Sequence, residues 1–147
     1  LGSMIGRLAG ETVSVINGML PNCKEDQLKA LCAGAASTGS VALVHLSGLT
    51  PESIDIKAAL GNQKPKEIIN ITKEMVIEAR DYLSLAKSDT IDCVALGSPH
   101  FSDYECRNLL SLAGGKQFKV PVYVCTGRHT IAHLQKDHSD SVCTGPQ

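Results

Sequence analysis

The chain has 147 residues, 43 % of them hydrophobic, and 14 Lys and Arg against 15 Asp and Glu for a formal net charge of -1. That is the size of one ordinary domain with enough apolar side chains for a core. The even balance, with no block of five like charges and no apolar run long enough to cross a bilayer, points away from nucleic-acid and membrane partners.

Taken in order, Leu1-Gly2-Ser3-Met4 reads as a cloning scar or as the interior of a longer chain. No basic stretch followed by an apolar one marks a signal peptide. Val13 to Ile16 alternates and is bounded by glycine, which predicts a strand. Glu25 to Ser37 places Leu28, Leu31, Cys32 and Ala35 on one face of a helix, with Asn22 or the residues just after it as the cap. Val41 to Leu46 is a continuous aliphatic run, the signature of a strand buried on both sides. Thr50-Pro51-Glu52 reads as an N-cap, a first-turn proline and a first-turn acid, opening a helix to about Leu60. Ile68 to Ile71 is a strand or extended segment, and Thr72 caps a helix with Met75, Val76, Ala79, Tyr82 and Leu83 as its apolar stripe.

Ile91 to Leu96 is the next predicted strand. Ser102 or Asp103 opens a helix carrying Cys106, Leu109, Leu110 and Leu112, and Gly114-Gly115 closes it. Val120 to Cys125 is a further strand, Thr126-Gly127-Arg128 its exit, and Thr130 to Lys136 a helix. Strands alternating with helices predict a three-layer α/β/α domain over residues 4–138 with a mostly parallel sheet, followed by a frayed tail at 139–147.

In a parallel sheet the strand carboxyl ends share one edge, where helix N-termini offer unpaired N–H groups to anions. Three predicted strands end there in polar residues: His45 to Glu52, Gly97 to Ser102, and Thr126 to Thr130. His45, Thr50, Ser98, His100, Thr126 and Arg128 are therefore the candidate contacts for a bound carboxylate or phosphate, with Arg128 as a two-pronged donor to it. Taken one at a time, glycine, proline, serine and threonine in such loops serve turns and caps, His45 reads as a satisfied core histidine and Thr50 as a cap. His129 and His133 lie one helical turn apart, but without the glutamate of a zinc-protease motif they read as solvated helix histidines.

The six cysteines at 23, 32, 93, 106, 125 and 143 form no close pair, so reduced thiols in the cytoplasm are expected rather than a disulfide framework. Neither GxGxxG nor the phosphate loop GxxxxGK[ST] is present, which argues against a nucleotide-binding domain.

Four segments, in order, resemble the catalytic subunit of the aconitase X family: IGRLAGETVSVINGM, LKALCAGAASTGSVALVHLSGLTPES, IDCVALGSPHFSDYEC and VPVYVCTGRHT. The resemblance covers about residues 4–130. It implies a hydro-lyase that removes water from a small hydroxy acid, with cis-3-hydroxy-L-proline ahead of mevalonate 5-phosphate. It also implies an iron–sulfur cluster, 2Fe-2S or 4Fe-4S, with one iron as Lewis acid on the departing hydroxyl. Some members place a cluster cysteine where this sequence has Ser98; in the hydroxyproline type the loop reads Pro-His-Phe-Ser with a cysteine just after, as Cys106 stands here. Cys106 is thus the implied ligand and Cys143 a weaker second one, while the other four cysteines read as core or surface residues. Family subunits are several times longer and work with a small swivelling domain or subunit. This chain is then one part of a dehydratase, incomplete for the cluster alone. The alternative is a non-catalytic binding or scaffold module that kept the fold.

Overall fold

In a computed structural model the described residues are 1–137, so Cys143 and the tail lie outside them. The elements are α1 Gly2–Ala9, β1 Ser14–Ile16, α2 Glu25–Thr38, β2 Val44–Leu46, α3 Ile56–Ala59, α4 Lys73–Leu83, β3 Val94–Phe101, α5 Asp103–Ala113, β4 Val122–Thr126 and α6 Arg128–Asp137. The α/β class and the parallel pairing stand. The strands fall into two parallel pairs, β1 with β2 and β3 with β4. Where the sequence reads as one domain over 4–138, the chain divides into two compact units, Leu1–Ala86 and Lys87–Gln147.

The first unit is built on α1 and α2, which approach through glycines. A Cβ on Gly6 would run into the Ala35 carbonyl and the Thr38 hydroxyl, and one on Gly39 into the Gly6 carbonyl. The Thr38 hydroxyl bonds the Ser3 carbonyl at 2.8 Å across that contact. Ile5, Ile16, Leu31, Ala35 and Leu46 bury together, with Leu28, Val41 and Val44 packed against them. The Arg7 guanidinium lies 4.0 Å from the centre of the Tyr82 ring and ties α1 to α4.

Several local expectations shift here. Residues 2–9, for which the sequence predicts no element, form α1, and the glycines that would weaken a lone helix permit this close packing. The cap of α2 falls just after Asn22, as expected, on Lys24, whose backbone N–H donates to the Gln27 side chain at 2.9 Å. The expected strand 41–46 narrows to Val44–Leu46. No helix starts at Thr50. Its hydroxyl accepts from Leu46 N–H at 3.1 Å and so closes a turn, and Asp55 instead caps the short α3 through Ala58 N–H at 2.7 Å. Residues 68–71 form no strand, whereas Thr72 does cap α4 through Met75 N–H at 3.3 Å.

Ser53 in that turn is fully buried, and its Oγ has no hydrogen-bond partner among the described residues. A buried hydroxyl left unpaired costs about 1–3 kcal/mol. Ser53→Ala is therefore expected to leave stability unchanged or raise it by up to about 1 kcal/mol in urea unfolding. A loss of more than about 1 kcal/mol would mean that the hydroxyl bonds a buried water.

In the second unit β3 and β4 pair from Val94 opposite Val122 to Phe101 opposite Thr126, and Val94 N–H donates to the Pro121 carbonyl at 2.9 Å. Ser102 caps α5 with a reciprocal box: Glu105 N–H donates to Ser102 Oγ at 3.1 Å and Ser102 N–H to the Glu105 carboxylate at 2.9 Å. Gly114, left-handed at φ 56, closes the helix as predicted.

Candidate functional site

The strand predicted to stop at Leu96 continues to Phe101 by way of a large bulge. Leu96 stands opposite Val124 and Phe101 opposite Thr126, so the four residues Gly97, Ser98, Pro99 and His100 face Cys125 alone. The surplus chain is pushed out of the ladder, leaving Ser98 and His100 exposed. Gly97 makes the excursion possible: its φ is 106, and a Cβ there would strike the Cys125 carbonyl oxygen and lie 2.9 Å from its nitrogen. The Ser98–Pro99 peptide is cis. Thr126 shuts the far side of the bulge by donating its hydroxyl to the Phe101 carbonyl at 2.6 Å. Its oxygen therefore serves first to hold the loop.

Arg128 is the first residue of α6 and is exposed, as is His129. The helix begins two residues before the predicted Thr130, because Ile131 N–H already reaches the Gly127 carbonyl at 3.1 Å. The two helix N-termini of this unit differ. That of α5 is already supplied with the carboxylates of Asp103 and Glu105 and with the Ser102 cap. That of α6 has no acid in its first turn and carries a guanidinium. An incoming anion is favoured at α6 and repelled at α5.

Ser98, His100, Thr126 and Arg128 thus gather at the carboxyl end of the β3–β4 pair. His45 and Thr50 belong to the other unit: His45 is half-buried on β2 opposite Val15, and Thr50 closes the turn already described.

Sequence reading missed one cluster. Asp103 receives Arg107 Nε at 2.6 Å and lies 3.3 Å from His133 Nδ1, joining α5 to α6. The Arg107 guanidinium holds the Asp103 carboxyl below the usual carboxylate range, and His133 adds to the effect. Because the folded value is depressed, the pair's contribution is present above about pH 4 and is lost as pH falls through the lower, folded value. Asp103→Asn should therefore lower the melting temperature of this unit at pH 6, and the gap to wild type should close at acid pH. A gap unchanged down to pH 2 would deny the pairing. The spacing of Asp103 and Arg107 is legible in sequence as an i,i+4 pair, but the partner of His133 needs the helix packing.

Cys106, in the first turns of α5, is buried at 7 % exposure. An iron–sulfur cluster is held by several ligands, usually four thiolates. Among the described residues no three His, Cys, Asp or Glu side chains are grouped to hold a metal. These residues therefore do not fit a whole cluster by themselves. Among the described residues Cys23, Cys32, Cys93, Cys106 and Cys125 are free thiols, and Cys143 lies outside them.

These elements define a parallel α/β protein whose second unit carries polar side chains at its strand ends. The profile of the aconitase X second domain matches residues 1–81, and that of the third domain matches residues 91–142. The chain belongs to the aconitase X family. It is 31 % identical over 138 residues to a cis-3-hydroxy-L-proline dehydratase of Pseudomonas aeruginosa, covering 92 % of this chain and 24 % of that protein. A cis-3-hydroxy-L-proline dehydratase of Hypocrea jecorina is 35 % identical over 134 residues, which cover 88 % and 22 %. A phosphomevalonate dehydratase large subunit of Methanothermobacter thermautotrophicus is 34 % identical over 126 residues, covering 86 % and 30 %. The crystal structure of Thermococcus kodakaraensis aconitase X in its holo-form superposes with a TM-score of 0.78 at 28 % identity, over 94 % of this chain and 34 % of that one. The chain spans about a quarter of the length of the hydroxyproline dehydratases it matches. Among the described residues no helix is long and apolar enough to cross a membrane.

Proposed function

We propose that this chain is part of a cytoplasmic aconitase-X dehydratase that removes water from a small hydroxy acid, cis-3-hydroxy-L-proline ahead of mevalonate 5-phosphate. The observation that carries the reading is the rim of unit two: a glycine-enabled bulge exposes Ser98 and His100 at the end of the sheet that also carries Arg128. Arg128 grips the substrate carboxylate through two parallel N–H donors, reinforced by the N-terminus of α6. Ser98 and His100 address the remainder of the substrate, and Thr126 holds their loop in place.

In this reading the iron–sulfur cluster belongs to the complete enzyme. Cys106 is the ligand this chain gives it, with Cys143 as a weaker second. The remaining ligands come from the other catalytic-subunit domains, which work with a small swivelling domain. The alternative reading is a binding or scaffold module that kept the fold without the chemistry.

Anaerobic reconstitution of the assembled enzyme with iron and sulfide separates the two. Visible cluster absorbance together with dehydration of cis-3-hydroxy-L-proline is the expected result. A colourless, inactive assembly supports the module. Cys106→Ser in the same assembly is expected to remove most of the absorbance and at least about 100-fold of the activity, since losing even an outer-shell partner costs 10–100-fold. Full absorbance in that variant would remove Cys106 from the ligand set.

A further inference from the structure

The β3–β4 pair is too small to be a finished sheet. Parallel strands occur almost only in sheets covered on both faces, and two strands alone are marginally stable. β4 reads Val122-Tyr123-Val124-Cys125-Thr126, with no charged residue and no proline inside it to protect an open edge. Tyr123 and Cys125 are exposed, Tyr123 at 59 %.

The ladder fixes which backbone groups of β4 are used. Val122 stands opposite Val94, and Val94 N–H donates to the Pro121 carbonyl. In a parallel pair the residues flanking Val122 therefore bond β3, while the N–H and C=O of Val122 and Val124 point to the other side. Among the described residues no strand lies on that side. The other edges are poorer templates: β1 and β2 have three residues each, and β3 is broken by its bulge.

We propose that the free edge of β4 receives a parallel strand from the rest of the subunit, adding through Val122 and Val124. The occupant follows from length, since the hydroxyproline dehydratases are roughly four times as long as the matched region, and from chemistry, since an uncharged valine edge suits an apolar strand. The inference rests on the dehydratase reading and deepens it. A parallel neighbour of β4 ends beside Thr126 and Arg128, where strand ends carry ligands. It is thus the element placed to bring this rim the groups that the described residues lack.

Hydrogen exchange resolved to single amides tests it, comparing the 147-residue chain with the full-length subunit. The Val122 and Val124 amides are expected to exchange about 100-fold more slowly in the full-length subunit, while those of Tyr123 and Cys125 are protected in both. Val124→Pro in the full-length subunit should release Val122 and spare Tyr123. Equal exchange of Val122 and Val124 in both proteins overturns the proposal, whether the edge stays open or is already capped by the chain's own tail or a second copy. So does a Val124→Pro subunit that keeps Val122 protected. None of these readouts needs activity: a subunit that protects both valines yet dehydrates neither substrate sinks the dehydratase reading alone.

Discussion

Gly97→Ala is expected to destabilise the second unit by about 3 kcal/mol and to abolish the site with it. Two costs combine. A left-handed φ charges an alanine about 1–2 kcal/mol. The added methyl also meets the Cys125 backbone, which cannot swing aside as the tip of a side chain can. Gly18 is the control: its φ is 87, but nothing lies within 4 Å of a Cβ there, so Gly18→Ala carries the conformational cost alone. Urea unfolding of the two variants against wild type isolates the collision. Equal losses would show that β4 does not press on the loop, and the bulge would then owe its shape to something other than Gly97. In the assembled enzyme Gly97→Ala should also lose activity out of proportion to the fraction unfolded, because relieving the collision moves Ser98 and His100.

That glycine marks the border of what the sequence discloses. Signals confined to a few neighbouring residues are legible: the Ser102–Glu105 cap, the Thr72 cap and the left-handed Gly114 each act within one turn. The alternation of apolar strands with helices discloses the parallel pairing. Strand ends set by a partner are not legible. Leu96 looks like a terminus because glycine and proline follow it, but Phe101 re-enters the ladder opposite Thr126, a partner 25 residues further along the chain that no local pattern reveals. Thr50-Pro51-Glu52 imitates a helix start almost fully. The hydroxyl instead bonds Leu46, so a local competitor captures the cap. Of the six candidate contacts, four gather at the rim of one unit for a reason the sequence contains, since strands exit there. Asp103 and His133 escaped notice because only the contact of α5 with α6 makes them partners.

Arg128→Ala in the complete enzyme is expected to weaken substrate binding by about 1.5–3 kcal/mol, the usual worth of a charge-assisted hydrogen bond, which is roughly a 10- to 150-fold rise in KM. The side chain is exposed at the start of α6, so the melting temperature should barely move. Arg128→Lys separates charge from shape. A lysine restores the cation but not the planar fork, so it should recover only part of the loss if the carboxylate is gripped by two parallel bonds. The uncharged amide of the substrate completes the test. If Arg128 meets the carboxylate, wild type loses affinity for the amide, and Arg128→Ala loses little more. If Arg128 instead steadies the helix start, the variant is penalised equally with acid and amide. Unchanged kinetics with both would take Arg128 out of the site and leave the N-terminus of α6 without the charge that makes it the preferred end for an anion.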